Sequence, residues 1–195
     1  MTVDELHVTT LEPTDAALLA RVAASDGPAL GELVRRHWAG LFRFARRMTR
    51  DDATAEDALQ DTFLAVLQHA ATFRGEGSAR AWLYTLARHA IQRRARRRVG
   101  EPSPSEVTDD VELLGASAGF GCADAATFED REEIERVLDR LSDEDREVLA
   151  LVDAEGLSIE EAARSLTLGE AALKSRLHRA RLRFMAAMRA MGGDA

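Results

Sequence analysis

The chain has 195 residues, enough for one domain of ordinary size or two small ones, and 46% of them are hydrophobic, as in globular proteins. Aromatic residues make up 5%, and the prevalence of Ala, Arg, Leu and Glu favours helix over sheet. A single cysteine excludes an internal disulfide framework, and no apolar run is long enough to cross a bilayer. The acidic N-terminus lacks the basic-then-apolar order of a secretory signal, so we expect a cytoplasmic protein.

The formal net charge of −8 is distributed unevenly along the chain. Residues 1–98 carry a net charge of +3, residues 99–133 carry −9 and residues 134–195 carry −2. The basic groups of the last segment are concentrated over 174–189. Acidity therefore lies mainly in a middle segment between two basic patches, and the negative total does not exclude a nucleic-acid partner.

Helical patterns occupy most of the first half of the chain. Residues 1–13 lack periodicity and are expected to form a frayed, disordered tail. Apolar residues then recur at helical spacing in four segments: 15–25, 28–48, 55–70 and 78–98. Pro28 suits the first residue of the second segment, and Ser78 suits the cap of the fourth. Residues 14–98 are therefore predicted to form a compact bundle of about four helices. The larger side chains expected on its buried faces include Leu33, Trp38, Leu41, Leu59, Phe63, Leu67, Trp82 and Leu83.

Residues 99–128 differ in character, with two prolines, four glycines and acidic residues of weak periodicity. A structureless stretch of this length is uncommon inside one compact domain, so we predict a flexible acidic linker between two domains. Helical patterns resume over 129–141 and then from Ser142, a candidate cap, to Gly156. No strand-like alternation of any length is present. The predicted fold class is all-α, with an N-terminal helix bundle and a C-terminal helical domain over 129–190.

The stretch 157–184 has the pattern of two helices joined by a tight turn over 167–169. Ser158 and Glu161 have the spacing of a capping box at the start of the first helix. The second helix is predicted to begin near Glu170, the only acid over 170–190 against six Lys or Arg residues. A short helix, a turn and a second helix with a basic face form the helix-turn-helix pattern, whose second helix enters the major groove of DNA. An amphipathic hairpin with a solvated basic face is the alternative.

Three motifs, in order and at compatible spacing, resemble the extracytoplasmic-function (ECF) group of bacterial RNA polymerase sigma factors. The motifs are AEDALQDTFL over 55–64, FRGEGSARAWLYTLARHAI over 73–91, and LSDEDREVLALVDAEGLSIEEAA with LKSRLHRAR over 141–181. These short sigma factors keep only the second and fourth conserved regions. The resemblance implies that residues 14–98 are sigma region 2, that residues 99–128 are the linker, and that residues 129–190 are sigma region 4.

In that family the first motif docks on the clamp helices of the polymerase β′ subunit. The matching residues here are Glu56, Asp57, Gln60 and Asp61. Asp57 and Asp61 are one helical turn apart, so they form an acidic ridge that suits a basic partner. Without the resemblance, a solvated helix face is the alternative. The paired Glu-x-x-His motifs that bind two metals in a helix bundle are missing from the sequence.

The second motif matches the part of the family that opens the promoter and reads its minus-ten element. The loop over 74–78 would capture an extruded non-template base, and the arginines of the next helix would hold phosphates. Trp82 lies on the apolar stripe and is expected in the core. The family usually has Asn at the position of His89 and often Asp at that of Gln92, which affects the preferred minus-ten sequence. The residues expected at the minus-ten DNA are Arg74, Gly75, Glu76, Ser78, Arg80, Arg88, His89, Gln92, Arg93, Arg94, Arg96 and Arg97.

In the C-terminal domain the resemblance assigns the exposed face of the second helix to the minus-thirty-five element. Lys174 and Arg179 are the better candidates for base readout, because Arg or Lys to guanine is the commonest specific contact. The family commonly has a capping Ser and a Gly-Thr pair where this chain has Gly169, Ala171 and Ala172, so the hydroxyls are lost and backbone amides are left to bind phosphate there. The residues expected at the minus-thirty-five DNA are Lys174, Ser175, Arg176, His178, Arg179 and Arg181, of which Arg176 and Arg181 suit phosphate.

The resemblance implies three partners: core RNA polymerase, through its β′ clamp helices and β flap, promoter DNA, and an anti-sigma factor. It implies no catalytic activity and no cofactor. Linker residues Asp109, Asp110 and Glu112 would either thread a nucleic-acid channel or form an inert tether, and a redox role for Cys122 is open. The histidines have no zinc-site spacing.

Two other protein classes are alternatives. A stand-alone helix-turn-helix repressor that binds duplex DNA would explain the stretch over 157–184. It would explain neither the acidic ridge over 56–61 nor the basic helix over 88–98. A protein-interaction adaptor would leave the basic face of the last helix without a role.

Overall fold

The computed structural model describes residues 12–75, 77–99 and 128–192, and in these ranges all regular secondary structure is helical, as predicted. Residues 1–11 of the tail predicted over 1–13, Glu76, and linker residues Asp109, Asp110, Glu112 and Cys122 lie outside the described residues. Within the described ranges, no helix combines the length and apolar character needed to cross a membrane. The α-helices are α1 Asp15–Ala23, α2 Gly27–Thr49, α3 Asp52–His69, α4 Ala79–Val99, α5 Phe128–Asp139, α6 Asp143–Leu149, α7 Ile159–Ser165 and α8 Glu170–Gly192.

Polar side chains cap the helices of the first domain, α1–α4. Thr14, Asp26 and Asp51 each accept a hydrogen bond from the backbone amide three residues later, which satisfies a donor that the first turn leaves unpaired. Ser78 caps α4 in the same way, as predicted. Because Asp51 is a cap, α3 begins three residues earlier than the apolar pattern indicated. Pro28 is the second residue of α2, not the first.

The core of the first domain lies between the apolar stripes of its four helices. Leu33, Leu41 and Leu59 are fully buried. The Phe44 and Tyr84 rings pack edge to face, with centroids 5.6 Å apart. Trp82 is 5% exposed, which places it in the core as predicted.

Two residues predicted to be buried are exposed. Trp38 is 38% exposed and lies at the rim of the α2–α3 contact, where its ring stacks on Phe63 at 6.2 Å. Leu67 is 49% exposed, although it lies one turn after the buried Phe63. Both residues lie at the edges of their apolar stripes, where a helical pattern does not separate a buried position from a rim position.

The second domain, α5–α8, is built around a capped helical turn. Ser142 caps α6, and Ser158 and Glu161 form the predicted capping box at the start of α7. The helix predicted to run from Ser142 to Gly156 changes after α6 into a π-helical turn over Ala150–Ala154. Gly156 then ends the segment at φ 68°, a left-handed conformation that glycine adopts without strain.

The two domains pack against each other. Helix α4 contacts α7, and α2 contacts α5, α6 and the π-helical turn. The buried apolar residues of both domains form one contiguous cluster. The sequence pattern predicted two domains on a tether, and it contained no indication of this interface.

Candidate nucleic-acid and polymerase interfaces

Helix α8 presents the predicted basic recognition face to solvent. Its apolar residues Leu173, Leu177 and Ala180 are buried against the rest of the domain. This contact turns four polar positions outward, and all four are exposed: Lys174, Ser175, His178 and Arg179. Between α7 and α8 the chain makes a tight turn, in which Thr167 has a φ of 55°. The arrangement agrees with the helix-turn-helix pattern.

Three arginines beside this face form ion pairs within the second domain. Arg176 lies 3.3 Å from Glu144, and Arg183 lies 2.5 Å from Asp145. Arg181 binds both carboxylate oxygens of Asp153, and these hydrogen bonds raise its pKa. A phosphate contact by Arg176 or Arg181 therefore requires exchange of a carboxylate for a phosphate.

The acidic ridge lies on the exposed side of α3. Glu56 and Gln60 are exposed, and the side chains of Asp57 and Asp61 are 55% and 23% exposed. Arg94 of α4 bridges the two aspartates, with Nη1 donating to Asp57 and Nε donating to Asp61, each at 2.8 Å. Burial alone would lower the pKa of Arg94, but the two aspartates outweigh that effect and raise it. The ridge is therefore paired with an arginine that was expected to bind DNA phosphate.

Some of the residues expected at the minus-ten DNA are exposed, and others are partly buried or already form contacts within the protein. Arg74 and Gly75 are exposed in the loop before α4, whose glycines have positive φ at Gly75 and Gly77. Arg96 and Arg97 are exposed at the end of α4, whereas His89, Gln92 and Arg93 are partly buried. Ser78 is used as the helix cap.

Arg80 and Arg88 of α4 contact the second domain. Arg80 donates to the carbonyl oxygen of Glu155, and its guanidinium lies 5.6 Å from the centre of the Tyr84 ring. Arg88 donates to Glu147 at 2.9 Å. Burial raises the pKa of Glu147, and the nearby Arg88 only partly offsets this effect.

Glu155, for which no motif of the sequence indicates a contact, is the centre of the contact between the domains. It is 2% exposed, and the Tyr84 hydroxyl donates to its Oε2 at 2.7 Å. Arg47 donates to Oε1 at 3.2 Å and Arg43 donates to Oε2 at 3.4 Å. Arg43 and Arg47 lie one turn apart on α2 and Arg50 is its C-cap, but this spacing is also that of a solvated helix face, so the sequence contains no local signal for the contact.

The candidate residues form surfaces on separate helices. The acidic ridge lies on α3, the minus-ten set follows the loop and α4, and the minus-thirty-five set lies on α8. Arg94 links the first two surfaces. Within the part of the chain that the structure describes, no group of three or more His, Cys, Asp or Glu residues has a geometry that could hold a metal ion.

Comparison with protein families identifies two conserved regions. The sigma-70 region 2 profile matches residues 33–100, and the sigma-70 region 4 profile matches residues 131–184. Together they cover more than half of the chain. The first match includes the ridge and α4, and the second includes the helix-turn-helix.

Individual relatives agree with these profiles. The ECF RNA polymerase sigma factor SigM of Mycobacterium tuberculosis is 36% identical over 173 residues, which are 88% of this chain and 83% of SigM. The RNA polymerase sigma factor CnrH of Cupriavidus metallidurans is 32% identical over 180 residues, covering 90% and 94% of the two chains.

Solved structures of two sigma factors have the same fold. CnrH, solved in complex with the cytosolic domain of CnrY, matches with a TM-score of 0.64 and 25% identity, over 90% of this chain and 97% of CnrH. RpoE of Bartonella quintana, solved in complex with the anti-sigma factor NepR, matches with a TM-score of 0.64 and 26% identity, over 82% and 96%. With both regions matched in order and relatives aligned over most of their length, the chain belongs to the sigma-70 family of RNA polymerase sigma factors, and within it to the ECF group.

Proposed function

We propose that this protein is a transcription initiation factor that binds core RNA polymerase and directs it to promoters through their minus-ten and minus-thirty-five elements. The observation that supports this function best is the presence, in one chain, of a region 2 with an exposed acidic ridge and a region 4 with an exposed basic recognition helix. A stand-alone repressor needs only the second of these features. The protein acts without catalytic chemistry or a cofactor of its own, in the cytoplasm where the polymerase works.

The ridge residues Glu56, Asp57, Gln60 and Asp61 attach the first domain to the clamp helices of the polymerase β′ subunit. The ridge has three carboxylates and Arg94 pairs with two of them, so the ridge keeps a net negative charge and attracts a basic surface. The second domain contacts the β flap. Two weak attachments joined by one chain bind together more tightly than either alone, because the second forms at a high effective concentration.

The loop before α4 and the exposed side of α4 bind the minus-ten DNA. Arg74 and Gly75, with the neighbouring Glu76, bind a base that has been extruded from the DNA. Extrusion exposes the edges of the base that a protein reads. Arg93, Arg96 and Arg97 bind phosphates, and this contribution weakens as salt rises. Arg80 adds to it after it leaves the backbone carbonyl of Glu155, and Arg88 and Arg94 add to it after they leave their carboxylate partners. Ser78 positions the loop through its cap, and His89 and Gln92 influence the preferred sequence.

The exposed face of α8 reads the minus-thirty-five element in the major groove. Lys174 and Arg179 contact base edges, and Ser175 and His178 lie on the same face. Arg176 and Arg181 bind phosphate in exchange for Glu144 and Asp153.

An anti-sigma factor is the regulatory partner that we propose for this protein. The solved RpoE structure that this chain resembles contains the anti-sigma factor NepR. The structure of CnrH likewise contains the cytosolic domain of CnrY. A similar arrangement of regions 2 and 4 gives this chain the same kind of surface for such a partner.

Run-off transcription with purified core polymerase tests the proposal, using promoters selected by the reconstituted holoenzyme from a random DNA library. The variant D57K/D61K is expected to abolish promoter-dependent product, because it places positive charge where the basic surface of the polymerase is proposed to bind. D57N/D61N removes the negative charges without adding positive ones, and this milder variant replaces D57K/D61K if the lysines affect folding. The control E132K/E133K makes the same charge change on α5 and is expected to retain product.

Two results would contradict the proposal. One is promoter-dependent product from D57K/D61K at the level of the control variant. The other is the absence of product from the wild-type protein together with tight binding to duplex DNA without polymerase, which would favour the repressor.

A further inference from the structure

The residues that bind the Glu155 side chain belong almost entirely to the first domain. Its side chain is 1% exposed, and its donors Tyr84, Arg43 and Arg47 all belong to the first domain. Arg80 of the same domain donates to its backbone carbonyl. A buried carboxylate is tolerated only when hydrogen-bonded donors and opposite charge surround it, and this site provides both.

The surrounding contact between the domains has complementary charge. Arg47 donates through Nε to Glu135 at 2.9 Å in addition to its contact with Glu155. Arg50 lies 3.1 Å from Asp139. Glu135 and Asp139 are one turn apart on α5 and pair with Arg47 of α2 and with Arg50, the residue that ends α2. The interface therefore matches a basic stripe to an acidic stripe, which gives a specific orientation and not only apolar contact.

This arrangement uses side chains that the proposed function needs elsewhere. Arg80 and Arg88 are candidates for the minus-ten DNA, yet both are bound to the second domain. The Arg88–Glu147 pair is largely buried, with side chains 17% and 13% exposed. Helix α7, the first helix of the helix-turn-helix, packs on α4.

The two promoter elements are too far apart for the packed domains. Their names place them about 25 base pairs apart, and a rise of about 3.4 Å per base pair separates them by roughly 85 Å. A compact chain of 195 residues has a radius of gyration of about 16 Å. Residues 100–127, if extended, reach about 90 Å, so the chain is long enough to span both elements once the domains separate.

We propose that Glu155 is a latch: inserted between Arg43, Arg47 and Tyr84, it holds the two domains in a closed form that cannot read a promoter, and its withdrawal opens the protein. This inference rests on the proposed function for one point, namely that the open form is the one that reads a promoter. The closed form itself depends only on contacts within the chain.

A carboxylate suits a reversible latch better than an apolar side chain would. On opening, Glu155 and its arginine partners are hydrated, so the attraction lost is largely replaced by water. The closed form is therefore only moderately favoured, and polymerase can compete with it. If only a fraction of the molecules is open, the apparent affinity for polymerase falls by that fraction.

Gly40 provides a second way to disturb the latch. A Cβ atom at this position would lie 2.7 Å from the Tyr84 hydroxyl oxygen and 3.2 Å from Oε2 of Glu155. Because Gly40 lies within α2, alanine improves the intrinsic helix propensity there while it displaces the latch. Gly31, in the same helix, has open space at the corresponding point and serves as the matched control.

The test measures the radius of gyration of the full chain by small-angle X-ray scattering and, separately, the Kd for core polymerase. The variants are E155Q and G40A, with E160Q and G31A as controls. Glu160 pairs with Arg164 in its own helix, so E160Q makes the same chemical change at a carboxylate whose arginine partner belongs to the second domain. Circular dichroism checks that each variant is folded, and E155Q decides the question if G40A does not fold.

We expect the wild type and both controls to be compact, at about 16–18 Å, and E155Q and G40A to exceed about 20 Å. The same two variants are expected to bind core polymerase about threefold to tenfold more tightly, because the open fraction rises. An extended wild type would overturn the latch, and so would folded E155Q with an unchanged radius. If the radii change as expected but no variant binds polymerase, the latch stands and the proposed function fails.

Discussion

Arg146 is a charged residue in the interior of the second domain. It is completely buried, and it donates to the carbonyl oxygens of Leu138 and Leu141 at 2.9 Å and to the Asp143 carboxylate at 2.7 Å. These carbonyls lie at the end of α5 and in the turn after it, where a helix leaves its last acceptors unpaired. One guanidinium therefore satisfies the end of α5 and fixes the turn into α6.

Replacing Arg146 with methionine is expected to lower the free energy of unfolding by about 3–5 kcal/mol, because the substitution leaves buried acceptors without a donor. Lysine is not expected to restore stability, since a single ammonium group lacks the forked geometry that reaches several carbonyls. Urea unfolding followed by circular dichroism measures the change. R136M is the matched control, because Arg136 is exposed on α5. A loss below 1 kcal/mol in R146M would show that the turn does not depend on this side chain.

At the scale of single elements, the helix-turn-helix is held by local interactions. The Ser158 hydroxyl accepts from the Glu161 amide at 3.1 Å, and the Glu161 carboxylate accepts from the Ser158 amide at 2.8 Å. Helix α7 has only seven residues, so it gains little from its own hydrogen bonds. Its stability depends on the cap and on packing, and it supports the orientation of α8.

S158A is therefore expected to lower the free energy of unfolding by about 1 kcal/mol, the usual effect of losing a serine cap. S175A makes the same chemical change at an exposed position within α8, where alanine is a better helix former, and is expected to keep or slightly increase stability. Thermal unfolding of both variants beside the wild type provides the comparison. Equal losses of stability in the two variants would contradict a specific role for the cap.

Local elements of this kind were predictable from the sequence, and contacts between distant segments were not. The caps at Ser78, Ser142 and Ser158 and the exposed face of α8 follow from residues within a few positions of each other. The π-helical turn after α6 was missed because its apolar residues fit an ordinary helix equally well. Trp38 was missed because burial at the rim of a stripe depends on the neighbouring helix.

The candidate sites show the same difference between local features, which could be predicted, and distant contacts, which could not. Asp57 and Asp61 were predicted as a ridge from their spacing, but their arginine partner, Arg94, lies more than thirty residues later. Arg43, Arg47 and Arg50 have the spacing of a solvated helix face, and nothing near them in sequence indicates the acids that bind them. Glu155 is separated from Arg47 by 108 positions, so only the folded structure brings the latch together.

For the whole molecule, the uneven charge of the sequence has a structural counterpart. The basic side of the first domain contacts acids of the second, both through exposed pairs such as Arg50–Asp139 and through the buried Glu155. Salt screens the exposed pairs strongly, because the Debye length falls from about 10 Å at 0.1 M to about 3 Å at 1 M. The buried pairs are screened much less. A change in salt concentration therefore separates the contribution of the exposed ion pairs to the closed form from the contribution of Glu155.

We expect the radius of gyration of the wild type to rise only partly between 0.1 M and 1 M sodium chloride, because the buried latch resists screening while the exposed pairs weaken. E155Q is expected to have a larger radius than the wild type already at 0.1 M and to reach the fully open value at a lower salt concentration, since only screened pairs and apolar contacts then hold its domains together. R50Q, which removes an exposed pair, is expected to shift the salt profile less than E155Q. Small-angle X-ray scattering over a salt series measures all three. Coincident profiles for the wild type and E155Q would mean that Glu155 does not help to keep the protein closed.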